Sequence, residues 1–125
     1  MDLSRRLVAE ALGTALLLAC VVGSGIMAER LSGGNIAVAL LANALATGGG
    51  LVALILTFGG ISGAHFNPAV SLAALIRQEL SGRDAVLYML VQIAGAFAGV
   101  AAAHGMFGEP LFFASQHIRT GPAQY

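Results

Sequence analysis

Residues 62–71 read Ser-Gly-Ala-His-Phe-Asn-Pro-Ala-Val-Ser (SGAHFNPAVS) and sit within one of the most apolar parts of the chain. The small residues Gly59-Gly60-Ile61-Ser62-Gly63 end a helix there, and Asn67-Pro68 begins another. Asparagine is a preferred N-cap, and proline at the first helical position gives up an amide that would be unpaired anyway. The apolar stretch that follows, Pro68 to Ile76, rises only about 15 Å as a helix, roughly half a bilayer core, so it cannot cross. Irregular backbone at membrane depth is tolerated only where protein buries it or a watery cavity meets it, because unpaired peptide groups in hydrocarbon are costly. The stretch therefore predicts a cavity, with the positive end of a short helix pointing toward mid-membrane and disfavouring cations.

The surrounding sequence supplies the membrane. Of 125 residues, 58% are hydrophobic and 10% charged, and the mean hydropathy is +0.86, a balance outside the soluble range. Three runs are long enough to span a bilayer: about 7–28, 36–58 and 85–107, each near the roughly 20 residues needed. Six arginines cancel six acids, and no basic cluster provides a nucleic-acid footprint. Cys20 is the only cysteine, which excludes an internal disulfide. Ser4-Arg5-Arg6 and Leu17-Leu18-Ala19-Cys20 loosely resemble export signals. Glu10 interrupts such a signal core, and more membrane helix follows Cys20, so the arginines read better as a cytoplasmic anchor. With the N-terminus inside, Arg5, Arg6, Arg77 and Arg83 are cytoplasmic while Arg30 and Arg119 are outside. Residues 59–77 then form a re-entrant loop and half-helix, and 108–125 a C-terminal linker. The expected fold is an all-α, multi-pass inner (plasma) membrane protein with three transmembrane helices and one half-helix.

The string SGAHFNPAV, placed after a full span and before a half-length helix, resembles the first signature loop of the aquaporin and glycerol-facilitator family, the major intrinsic proteins. Ala9-Glu10-Ala11-Leu12-Gly13-Thr14 resembles the family's first-helix motif, and Gln92-Ile93-Ala94-Gly95-Ala96 its third. The resemblance covers one repeat of a family built from two inverted ones, with one Asn-Pro-Ala and without the second half's pore arginine. Gly121-Pro122-Ala123-Gln124-Tyr125 looks like the linker before a fourth span, as in a natural half, a truncated frame or a fragment. By this resemblance the chain is half of a passive channel for water and small neutral solutes such as glycerol or uncharged metalloid acids. The resemblance further implies homo-oligomers (tetramers in this family) or pairing with a second half; no cofactor is expected. The rival is a non-conducting membrane module that needs a second repeat to form a pore.

The resemblance also assigns roles. Pore lining falls to Asn67, Pro68 and Ala69, and to the backbone carbonyls of Gly63, Ala64, His65 and Phe66, with His65 bracing the loop. Glu10, a charge within the first span, is expected to hold the loop's backbone; a shallow carboxylate reaching the headgroups is the alternative. Thr47, twenty residues before Asn67, occupies a constriction position that is usually a bulky aromatic. With Gly48, Gly49 and Gly50 after it, a wider and more polar aperture follows, unless Thr47 only packs against a neighbour. Asn43 and Gln92 read as interhelical hydrogen-bonding groups. Gly95-x-x-x-Gly99 and Ala9-x-x-x-Gly13 read as close helix crossings. His65, His104 and His117 lie in separate segments, so no metal site is expected. Ser62 and Ser71 show no activating partner, so no enzyme is expected.

Overall fold

The computed structural model describes residues 2–110; His117, Arg119 and the linker from residue 111 onward lie outside the described residues. Four helices follow in order: α1 (Leu3–Leu31), α2 (Ile36–Ser62), α3 (Pro68–Ile76) and α4 (Gly82–Met106). Among the described residues there is no strand. Helices α1, α2 and α4 are long and apolar enough to cross a membrane. Over the described residues the protein is thus an all-α, multi-pass membrane protein with three helices able to span and one half-length helix.

The helices run past the apolar stretches because their ends are set by capping. Asp2 accepts from the Arg5 amide at 3.0 Å and starts α1 before Leu7. Ser81 accepts from the Asp84 amide at 3.1 Å and starts α4 before Ala85. At the other end of α1, Glu29 and Arg30 belong to the last helical turns. The larger departure is in α2, which continues through Gly59 and Gly60 to Ser62. A helical glycine costs only about 1 kcal/mol relative to alanine, too little to stop a long helix. The stop comes at Gly63, whose φ of +89° is left-handed, while its amide still bonds the Gly59 carbonyl at 3.0 Å.

Contacts fix how the helices are arranged. Pairs between α1 and α4 rise together along both helices, from Arg6–Asp84 to Glu10–Gln92, and Arg30 then meets Glu109 just past the end of α4, so these helices are parallel. Pairs between α1 and α2 run in opposite order, Ser24–Asn43, Cys20–Ala46 and Glu10–Ser62, so these two are antiparallel. At the crossing of α1 and α4, a Cβ added at Gly95 would lie 2.3 Å from the Ala11 carbonyl oxygen, and one at Gly99 would lie 2.1 Å from that of Ala15. Both glycines therefore permit backbone contact between parallel helices. Gly13 does something different: its missing Cβ makes room for the Phe66 ring, not for another helix.

This difference among glycines is testable. Gly99→Ala should destabilise the fold by about 1–3 kcal/mol through overpacking against backbone, whereas Gly48→Ala, which meets nothing within 4 Å, should not. Thermal unfolding of both variants in detergent, followed by circular dichroism, separates them; equal midpoints would contradict the crossing.

Candidate functional site

The α2–α3 connection is built around one carboxylate. Glu10, fully buried, lies one helical turn beyond Arg6 on α1. Its Oε2 accepts from Ser62 Oγ at 2.5 Å and from the His65 amide at 3.2 Å. Its Oε1 accepts from the Phe66 amide at 2.9 Å and from Gln92 Nε2 at 2.7 Å. A carboxylate offers about four lone-pair positions, and all are used here. Helices α1, α2 and α4 and the connecting loop thus meet at a single side chain.

The amides from Gly63 to Phe66 are all consumed by this arrangement. The Gly63 amide bonds Gly59, the Ala64 amide bonds Ser62 Oγ at 3.2 Å, and the next two bond Glu10. The carbonyls of Gly63, Ala64, His65 and Phe66 accept no hydrogen bond among the described residues. Such separation of donors from acceptors needs unusual backbone: Gly63, Ala64 and Phe66 all have positive φ, +89°, +52° and +55°. For the two residues bearing a Cβ this costs about 1–3 kcal/mol each, so the carboxylate contacts must over-determine it. The Phe66 ring fills the space over Gly13 and meets Phe58 edge-on at 6.1 Å, anchoring the end of the row.

At the end of the loop, Asn67 caps α3 by accepting from the Ala69 amide through Oδ1 at 2.8 Å. Pro68 is the first residue of α3, and Asn67 and Ala69 are exposed. Behind them, Ser71 on α3 is fully buried and joins Gln92 Nε2 and His65 Nδ1, each at 2.9 Å. The assignment that uses every polar hydrogen has Gln92 donate to Ser71, and Ser71 donate to Nδ1, leaving the imidazole proton on Nε2. Turning the Gln92 amide over would set its oxygen against Glu10, so its Nε2 faces both partners and its Oε1 is left unbonded. Ser71 therefore does have a histidine beside it, contrary to the sequence reading. Its hydroxyl is fully enclosed and shared with Gln92, which makes it a brace.

Thr47 is half-buried on α2. Added Cβ atoms at Gly48 and Gly49 meet nothing within 4 Å, so that side of the helix is open, while Gly50 seats Cys20. Asn43 bonds Ser24 on α1 at 2.8 Å and Gln92 links α4 to α1 and α3, both interhelical. Sequence reasoning passed over Tyr88, which donates to the Ser62 carbonyl at 2.8 Å. A buried tyrosine six residues into an apolar helix was the available signal, since such a hydroxyl needs a partner.

Glu10→Leu strands the loop amides, at about 1–3 kcal/mol for each buried donor left unsatisfied. Glu10→Gln keeps one acceptor oxygen. Monodisperse yield in detergent should therefore fall in the order wild type, Gln, Leu; a Leu variant equal to wild type would contradict the bracing.

With this geometry in view, comparison with known proteins places the chain. The family model for major intrinsic proteins matches residues 1–122. Aquaglyceroporin AqpS of Rhizobium meliloti is 56% identical over 124 residues, covering 99% of this chain and 53% of the relative. Glycerol uptake facilitator protein-like 6 of Lactiplantibacillus plantarum is 39% identical over 98 residues, covering 78% and 42%. Aquaporin Z of Brucella melitensis is 38% identical over 96 residues, covering 77% and 41%. The chain spans about half the length of these relatives. It belongs to the major intrinsic protein family.

Proposed function

We propose that the chain forms one half of a passive channel for water and small neutral solutes, glycerol and uncharged metalloid acids among them. The observation that carries this is the loop in which every amide from Gly63 to Phe66 is bonded to protein while the four carbonyls are left open. A solute passing such a row exchanges water for fixed acceptors, and it reaches the Asn67 amide at the positive end of α3. Oxygen acceptors favour hydroxyl-bearing solutes, and the helix end opposes cations. The names of the aquaglyceroporin and glycerol-facilitator relatives support the same solute class.

Thr47 and the open glycines after it form the wide side of the constriction in this reading. Arg6 and Asp84 share one end of the bundle and Arg30 and Glu109 the other. The arginine bias, four to two, supports an N-terminus in the cytoplasm, with Arg5, Arg6, Arg77 and Arg83 on that side of the plasma membrane. Because α3 is half-length, the opposite face of the pore comes from a second repeat, and the assembled channel is oligomeric.

The test joins this chain in frame to the C-terminal half of the Rhizobium meliloti relative and measures vesicle permeability by stopped-flow light scattering. The joined protein should carry both water and glycerol, and singly oriented chain alone should carry neither. Thr47→Phe in the joined protein should reduce glycerol flux far more than water flux. A joined protein that reaches the membrane folded and carries neither solute would favour the non-conducting module, and proportionate loss in the Phe variant would remove Thr47 from the constriction.

A further inference from the structure

Tyr88 heads the largest fully buried side chains and belongs to the apolar cluster of Ala74, Leu80 and Ala85. A phenylalanine would serve that cluster equally well, so packing does not account for the hydroxyl. That hydroxyl donates to the Ser62 carbonyl at 2.8 Å and accepts from Arg6 Nε at 3.0 Å. Arg6 lies 5.3 Å over the Tyr88 ring centroid and reaches Asp84 with Nη1 at 3.3 Å. A chain of polar contacts therefore runs from the partly exposed Arg6–Asp84 pair to the last residue of α2.

We propose that Tyr88, held by Arg6, is a positioning residue that fixes where the row of open carbonyls begins. The role in transport rests on the channel reading above. The last carbonyls of a helix have no intrahelical donor. At Ser62 the Tyr88 hydroxyl supplies one, which takes this oxygen out of the row and makes Gly63 the start of the uninterrupted run of open acceptors. The same ring lies 5.3 Å from the His65 ring, tilted by 59°. One side chain thus touches both ends of the four-residue segment from Ser62 to His65, across the two positive-φ residues Gly63 and Ala64. Glu10 holds the donor side of that segment, and Tyr88 holds its first acceptor. Arg6 keeps the phenol oriented, because its Nε occupies the oxygen's acceptor side and directs the O–H toward Ser62.

Tyr88→Phe keeps the ring and its contact with His65 while removing only the hydroxyl, and Arg6→Met removes the orienting donor while leaving Tyr88 in place. Hydrogen–deuterium exchange of the full chain in lipid nanodiscs reads the loop without any need for conduction. In the Phe variant the His65 and Phe66 amides should exchange about tenfold faster, the scale of one lost buried hydrogen bond, with amides at the α1–α4 crossing unchanged. The Met variant should show a smaller rise at the same amides. No rise in the Phe variant, or a uniform rise across all helices, overturns the proposal. In the joined channel, Tyr88→Phe at equal membrane abundance should change the glycerol-to-water permeability ratio by about threefold or more; an unchanged ratio overturns the role in transport. If the unsubstituted joined protein carries no solute, the channel reading fails, and a local rise in exchange still establishes Tyr88 as the residue that positions the loop.

Discussion

A carboxylate buried inside a membrane helix is the constraint on which the rest of this structure depends. At the centre of a span an ionised acid costs roughly 2.5–3.5 kcal/mol, and the cost is offset only when the group is fully hydrogen-bonded. Glu10 meets that requirement with two backbone amides, a serine hydroxyl and a glutamine amide. Once those donors are drawn to α1, the backbone between α2 and α3 has little freedom left. Two of its amides face the acid and the others bond α2, its open carbonyls are what remains, and the positive φ angles accompany that division. The strain at Ala64 and Phe66 and the charge on Glu10 are each unfavourable alone and compensate one another.

Surroundings invert the usual logic of a core. In lipid, apolar side chains gain little by leaving the surface, so helices are joined by close packing and polar contacts. The fully enclosed groups here include Glu10, Ser71, Gln92 and Tyr88, while α2 buries only Ser62. Clamps at both ends tie α1 to α4, through Arg6–Asp84 and Arg30–Glu109, and Arg30 also lies over the Phe107 ring. Helix α2 has no such clamp among the described residues and leans on α1 through Ser24–Asn43 and the Cys20 thiol beside Gly50. Its apolar outer face, with Leu41, Leu45, Val52 and Leu56 exposed, suits lipid or a neighbouring subunit.

The half-length helix was legible from sequence because Asn67-Pro68 states a helix start in local chemistry, and length then forbids a crossing. The spans were legible from hydropathy, but their ends were not, since capping by Asp2 and Ser81 acts outside the apolar runs. Gly59-Gly60 misled because glycine signals a break only where the backbone needs a positive φ, and that need arises at Gly63. Glu10 stood out as a charge in an apolar run, yet its partners came through family resemblance, because bonds across more than fifty residues leave no local pattern. Tyr88, Ser71 and Arg6 each look ordinary within their own helix and gain meaning only from groups on other elements.

The Glu10 carboxylate grips the loop backbone directly, through the His65 and Phe66 amides. Solid-state NMR in lipid bilayers can measure this as dipolar recoupling between a ¹³C-labelled Glu10 carboxyl carbon and the ¹⁵N of Phe66. A direct N–H···O bond puts these nuclei about 4 Å apart, so strong dephasing is predicted. Absence of dephasing in the folded wild-type chain would show that the loop is held by something else and would contradict the account at its base.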